Sequence, residues 1–339
     1  MDAVPSDPAV ALAPSRLRRR MPIRFRRAVP GGRFFDVMGD RPFGGRLRAV
    51  RRLLVAGLWT LLCMPVQAVL LLLPDHAPPG QSGLGQSRLG QSRLGHAKVG
   101  FARIYWRTMC FIIGMRVRVV GERGAVPRTL YLANHSSWLD ILVLGGALEA
   151  PFVSKAEIGQ WPLVGLVARL GRTVFVSRSR RRTGDEAREM RERLLAGDSL
   201  ILFPEGTSSD GSRVLPFRSS FLAVAEAAEA IRPVSVVYDR LGGLPACRRD
   251  RPLFAWYGNM EIAPHVWRLV RHAGLRATVL LHDPVSPGAI PSRKALSAAV
   301  EGTVAEGASA LRQNREPRPL PVAVPAPAEG PEAGGPLTA

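Results

Sequence analysis

Residues 129–148 read Thr129-Leu-Tyr-Leu-Ala133-Asn134-His135-Ser136-Ser137-Trp138-Leu139-Asp140, then Ile-Leu-Val-Leu-Gly-Gly-Ala-Leu148. A short apolar run, a polar break and a longer apolar run predict a buried strand at Thr129–Ala133, a turn, and a helix over Leu139–Leu148. The same alternation recurs on either side. Strand-like runs stand at Val117–Val120, Phe152–Ser154, Thr173–Val176, Leu200–Phe203, Val234–Tyr238, Leu253–Trp256 and Thr278–Leu281. Helix-like segments stand at Asp185–Ala196, Phe221–Ala230 and Arg293–Leu311. Buried strands alternating with helices imply an α/β fold built as three layers.

The strand-to-helix junction is where α/β proteins expose reactive groups beyond the strand ends. His135 and Asp140 lie there, five residues apart. On one continuous helix that spacing would place them off each other's face. A contact requires His135 in the turn and Asp140 in the first helical turn, reaching back. The carboxylate would then take the Nδ1 proton and leave Nε2 as a base. A capping role for Asp140 near the helix N-terminus, with Ser136 or Ser137 as N-cap, fits the same residues. A second junction, Leu202-Phe203-Pro204-Glu205-Gly206-Thr207-Ser208, runs an apolar strand into a proline and a glycine turn. It presents Glu205 at another strand end, either into the same crevice or into solvent.

The rest of the chain bounds the function. Of 339 residues, 46% are hydrophobic, so a large core is available, and the net charge of +20 is nearly all arginine. Such a bias suits nucleic acid or an anionic membrane surface. Aromatic residues make up only 6%, with no aromatic-basic repeat, so no nucleic-acid partner is expected. Cys63, Cys110 and Cys247 show no metal-ligand or disulfide spacing, which fits a reducing compartment and implies no metal. His265, His272 and His282 likewise lack ligand spacing and are taken as structural.

Residues 1–52 are expected to be a disordered basic arm. Residues 53–73 are uncharged and about long enough to cross a bilayer core, and Pro65 favours a kink there. The positive-inside rule would keep the arm in the cytoplasm and export everything downstream, at odds with the reducing compartment that the cysteines fit. A re-entrant or in-plane segment, aided by Phe101–Met115, removes that conflict. Residues 74–100 carry a Gly-Gln-Ser-x-Leu pentad repeat and are expected to be a linker. The catalytic domain is expected over 101–312, with a disordered Pro/Ala-rich tail over 313–339.

The two junctions, with Ser154-Lys155-Ala156-Glu157-Ile158 and Gly171-Arg172-Thr173-Val174-Phe175-Val176-Ser177-Arg178 between them, resemble four ordered blocks of the glycerolipid acyltransferase family. That family makes phosphatidic acid from lysophosphatidic acid. Arg232-Pro233-Val234 adds a weaker match. The resemblance covers roughly residues 100–285. It implies a glycerol-phosphate-acyltransferase-like domain with an N-terminal membrane-inserted helical segment, at the cell (inner) membrane with its catalytic face towards the cytoplasm. It also implies His135 as general base, Asp140 as its orienter, and Glu205, Gly206, Thr207, Arg178, Lys155 and Arg218 around the substrate. No cofactor is implied; acyl-CoA or acyl-carrier protein is the co-substrate and a lysolipid the acceptor. One position departs from the pattern. Where many members follow the threonine with an arginine, this chain has Ser208, leaving Arg178, Arg213 or Arg218 to supply the charge. The segment from Phe203 to Ser220, with Trp256–Glu261 and Pro264-His265, is similar to a branch that acylates lyso-ornithine lipid, the alternative acceptor. A third alternative, an inactive protein that binds anionic lipid, would predict loss of His135, Asp140 or Glu205, and all three are present.

Overall fold

The computed structural model describes residues 42–73, 93–123, 126–161, 164–176 and 183–323. In chain order its elements are α1 (Gly45–Leu72), α2 (Arg93–Ile113), β1 (Met115–Val120), β2 (Thr129–Ala133), α3 (Leu139–Ala147), β3 (Val153–Lys155), α4 (Val164–Leu170), β4 (Val174–Val176), α5 (Thr183–Leu195), β5 (Leu200–Leu202), β6 (Ala230–Leu241), β7 (Leu244–Pro245), α6 (Arg251–Phe254), α7 (Ile262–Val270), β8 (Leu275–Leu281) and α8 (Arg293–Arg312). The main sheet runs β1-β8-β6-β2-β5, with β7 folding back on β6, and β3 pairs with β4 beside it. Strand β2 lies parallel to both β5 and β6, whereas β8 is antiparallel to β6.

Strand periodicity makes the layers. Tyr131 and Ala133 of β2 point into a core shared with α2, α3 and α7. Their neighbours Leu130 and Leu132 point the other way, into a core shared with α5 and α8. Each face of the sheet is thus covered by helices, as the alternating pattern requires. The packing of α2 on α3 depends on small residues. A β-carbon on Gly145 would come within 2.5 Å of the Trp106 ring.

Several sequence expectations change. Helix α1 begins at Gly45, so residues 45–52 belong to it and not to the basic arm. Arg48 and Arg52 explain the extension: their guanidinium groups donate to the carbonyls of Val270, Arg271 and His272 at the end of α7. The helix continues through Pro65. Helix α2 starts at Arg93, inside the last pentad copy. Residues 74–92 lie outside the described residues, as do 1–41 and 324–339. The expected strand at Leu253–Trp256 is the short helix α6, because Pro252 presets its first turn and Leu253 and Phe254 enter the core. The segment expected as a helix over Phe221–Ala230 is a 3-10 helix, Ser219–Ala227. The start of the Pro-rich tail is ordered against the sheet. Asp283 N–H donates to Leu320 O, and Leu320 N–H to His282 Nδ1, with Val322 buried.

Helix α1 is long and apolar, with mean hydropathy 2.0 in its most apolar window, of which 11% is buried. Leu54, Leu58, Leu61 and Leu62 are exposed. It is nonetheless fastened along its length. Arg52 holds the end of α7, and Gln67 Nε2 donates to Leu170 O at the end of α4. Those two attachments are about 22 Å apart along the helix axis.

Candidate active site

The register of the sheet builds the site. Leu132 of β2 and Leu202 of β5 are paired, and three residues beyond them stand His135 and Glu205. Both junctions therefore open at the same edge of the sheet. On the other side of β2, Asn134 extends the sheet towards β6 by imitating a strand residue. Its side-chain oxygen accepts from Val236 N–H at 2.8 Å, and its amide donates to Val236 O at 3.0 Å.

His135 sits in the turn and Asp140 in the first turn of α3, and His135 Nδ1 meets Asp140 Oδ2 at 2.8 Å. The same oxygen accepts from the N–H groups of Ser136, at 2.7 Å, and Ser137, at 2.9 Å. Capping is thus shared: the Ser137 hydroxyl accepts the N–H of Leu139 at 3.3 Å, as expected of a serine there, while the carboxylate gathers the amides of Ser136 and Ser137, and Trp138, the N-cap residue, adds no side-chain cap. The two roles weighed for Asp140 are compatible, because one oxygen serves both. Asp140 is fully buried, while the His135 side chain retains 20% exposure. With Nδ1 donating to a carboxylate, Nε2 is the unprotonated nitrogen, and no other described residue hydrogen-bonds to it. Phe203 stacks on the imidazole, with ring centroids 4.2 Å apart, and fixes its plane.

Two further side chains hold this arrangement. The hydroxyl of Tyr238, on β6, donates to Asp140 Oδ1. Burial, then the Asp140 charge, pushes the Tyr238 hydroxyl well above its ordinary range, so it remains a donor. Tyr238 is ninety-eight residues from Asp140, and no local motif marks it. The signal lies in alternation: Val234 pairs with Ala133, and Val234, Val236 and Tyr238 share one face of β6.

Glu205 is buried and does not face solvent. Its Oε1 accepts the N–H of His135 at 2.8 Å, and its Oε2 that of Leu215 at 3.2 Å. Burial lifts its pKa to about 8, against the pull of those two donors. Glu205 is thus a strut between the two junctions. This differs from the substrate contact implied for it in the sequence. Gly206 takes φ +68°, in the left-handed region, and a β-carbon there would crowd Phe221 and Arg218. Thr207 is exposed at the turn, and Arg218 is exposed beside Gly206. Lys155 ends β3, but its side chain lies outside the described residues, as does all of Arg178. His265 bridges two site segments: its Nδ1 accepts from Trp138 Nε1–H and its Nε2 donates to Ala255 O. Burial lowers its pKa to about 4, so it stays neutral. Among the described residues no three His, Cys, Asp or Glu side chains gather as a metal site.

Chemically, the arrangement is an imidazole oriented through Nδ1, with Nε2 left open and a buried carboxylate behind it that can stabilise an imidazolium after proton uptake.

Comparisons with known proteins agree with the motif resemblance. A family model described as Acyltransferase matches residues 116–238. A lyso-ornithine lipid O-acyltransferase of Brucella abortus is 39% identical over 207 residues, spanning 58% of this chain and 78% of the relative. One of Rhizobium meliloti is 36% identical over 204 residues, spanning 58% and 70%. A 1-acyl-sn-glycerol-3-phosphate acyltransferase of Neisseria gonorrhoeae is 33% identical over 144 residues, spanning 42% and 54%. The crystal structure of the 1-acyl-sn-glycerophosphate acyltransferase of Thermotoga maritima superimposes with a TM-score of 0.57 at 20% identity, covering 80% of this chain and 98% of that one, a likeness of fold.

Proposed function

The chain belongs to the glycerolipid acyltransferase family, and on that premise we propose that it moves a fatty acyl group from acyl-CoA or acyl-carrier protein to the hydroxyl of lyso-ornithine lipid. The observation that carries the chemistry is the 2.8 Å contact between His135 Nδ1 and Asp140. His135 Nε2 takes the proton of the acceptor hydroxyl as its oxygen attacks the thioester carbonyl. The C–O bond forms, the tetrahedral intermediate collapses with cleavage of the C–S bond, and the imidazolium returns the proton to the departing thiolate. A positioned base of this kind contributes about a hundred- to ten-thousandfold. Tyr238 and the Ser136 and Ser137 amides keep Asp140 in place, and Glu205 keeps the His135 backbone in place.

The acceptor reading rests on the Brucella and Rhizobium relatives, which match more of this chain at higher identity than the Neisseria one. Ser208, in place of the arginine found in many phosphate-acceptor members, points the same way. The second reading, acylation of lysophosphatidic acid to phosphatidic acid, is favoured by the Neisseria relative. Offering the enzyme both acceptors in one reaction with acyl-carrier protein and then acyl-CoA separates the readings and identifies the donor. Preferential formation of phosphatidic acid would make lysophosphatidic acid the acceptor. Full turnover by His135→Ala would remove the general base from either reading.

Helix α1 bears on location. Because it is fastened to the domain at Arg52 and at Gln67, it lies along the protein and does not leave it, and its exposed leucines rest in one leaflet of the membrane. Such an in-plane seat keeps the catalytic domain on the cytoplasmic face of the inner membrane, where thioesters are made. It removes the topological conflict without a crossing. Labelling cysteines placed at positions 42 and 73 from one side only is the expected result; labelling from opposite sides would restore a crossing.

A further inference from the structure

A cleft opens on the other side of the catalytic turn. Its wall includes Asn134 and Ser136, which flank His135, but not His135 itself, whose ring lies against Phe203. Four arginines line it: Arg213 from the segment after Gly206, Arg248 from the 3-10 turn before α6, Arg251 from the first residue of α6, and Arg312 from the end of α8. Among the described residues none of their guanidinium groups makes a hydrogen bond or an ion pair. The one carboxylate in the wall, Asp239, is already taken by Arg276 and Thr278. Arg312 is half-buried, and burial together with the Arg251 charge pushes its pKa down; Asp210 and Glu205 only partly oppose this. Like charges brought together in a concave, partly desolvated wall, with Asp239 engaged elsewhere and Asp210 offsetting them only by longer-range attraction, leave unsatisfied donors for an anion.

We propose that this cleft holds the acid group of the acceptor lipid's headgroup, with Arg213, Arg251 and Arg312 gripping that carboxylate or phosphate while the acceptor hydroxyl reaches over Ser136 to His135 and, in lyso-ornithine lipid, the ornithine ammonium stays outside the arginine wall. The proposal rests on the acyltransferase reading above and names the acceptor subsite of that reaction. In lyso-ornithine lipid the hydroxyl oxygen and the carboxylate carbon are six bonds apart, about 7 Å when extended, which is about two residue steps of backbone. The proposal accounts for Ser208: the charge missing from the turn is supplied by arginines from three other places in the chain.

The test uses the full-length enzyme and single and triple Gln variants of Arg213, Arg251 and Arg312. The KM for lyso-ornithine lipid should rise about tenfold to a hundredfold in the triple variant, with the donor KM unchanged. The methyl ester of the same lipid, which lacks the carboxylate, should be used equally by wild type and variant. Lysophosphatidic acid run in parallel shows whether a phosphate is held by the same three residues. A rise in the donor KM alone would assign the cleft to the thioester and overturn the proposal, as would unchanged constants throughout. A second readout does not need turnover. Cys247 stands exposed in the cleft wall while Cys63 and Cys110 are buried. Soluble N-(3-hydroxybutanoyl)ornithine should slow maleimide labelling of Cys247 in wild type and not in the triple variant, provided both melt alike. Protection in an enzyme that transfers no acyl group would keep the subsite and reject the acyltransferase reading. Labelling at the same rate with and without the compound would reject the subsite.

Discussion

The catalytic turn and the arginine cleft share the Asn134–Ser136 backbone but are built on opposite principles. On one side every polar group of Asp140 has a partner: Nδ1 of His135, the amides of Ser136 and Ser137, and the hydroxyl of Tyr238. On the other, Arg213, Arg251 and Arg312 make no hydrogen bond or ion pair among the described residues, and only the longer-range charge of Asp210 acts on them. A proton-transfer pair needs fixed geometry before substrate arrives, so its bonds are all made within the protein. A binding surface needs bonds left open. On the function proposed above, the contrast separates the residues that would set the rate from those that would choose the lipid.

The largest test of that division is Asp140→Asn, which should lower kcat about a hundred- to ten-thousandfold by disturbing the tautomer of His135, with little change in acceptor KM. Steady-state kinetics checks it, and a change confined to KM would place Asp140 on the binding side. Next comes Glu205, whose pKa is lifted by burial to about 8. A raised carboxyl pKa favours the folded state while the group is protonated. That stabilisation is complete below the unfolded value near 4.5 and is lost as pH climbs through about 8, a change on the order of a few kcal/mol. The melting temperature of wild type should therefore fall across that window, and that of Glu205→Gln should be flatter. Parallel slopes would mean that Glu205 is ionised throughout. Gly206→Val should cost about 1–3 kcal/mol, because it forces a branched residue to φ +68° against Phe221, and chemical denaturation measures it. The smallest effect belongs to Tyr238→Phe. Loss of one hydrogen bond to Asp140 should reduce kcat about three- to tenfold and shift the pH–rate profile while leaving both KM values in place. An altered acceptor KM would break the comparison at its most remote residue.

What the sequence made legible follows from range. His135 and Asp140 are close in sequence, so a turn and one helical turn suffice to predict their contact. The β2 and β5 junctions were legible for the same reason, since each is a strand running into a break. Glu205 was located but its direction was not: whether a strand-end side chain faces the crevice or the backbone behind it depends on Leu215 and His135, which only the assembled sheet brings near. Tyr238 was missed because its role is fixed by the pairing of β6 with β2 and has no signature at its own position. The arginines of the cleft come from separate segments, and Arg248 and Arg251 look like ordinary surface charge until α6 turns beside them. Leu253–Trp256 was misjudged because a short apolar run fits a buried strand and a buried helical turn alike, and Pro252 decided it.

The close seat of Trp106 against Gly145 carries one more implication. Helix α3 starts with the catalytic carboxylate and, five residues later, carries the glycine against which α2 is wedged. The two helices therefore move as one body, and a shift of α2 is passed to Asp140. Under the in-plane seat proposed for α1, whose Thr60 hydroxyl pairs with the Tyr105 hydroxyl of α2, that coupling would carry the depth of the membrane contact to His135. A methyl group at Gly145, by prising α2 from α3, would disturb the seat of Asp140 against His135 without touching an atom of either.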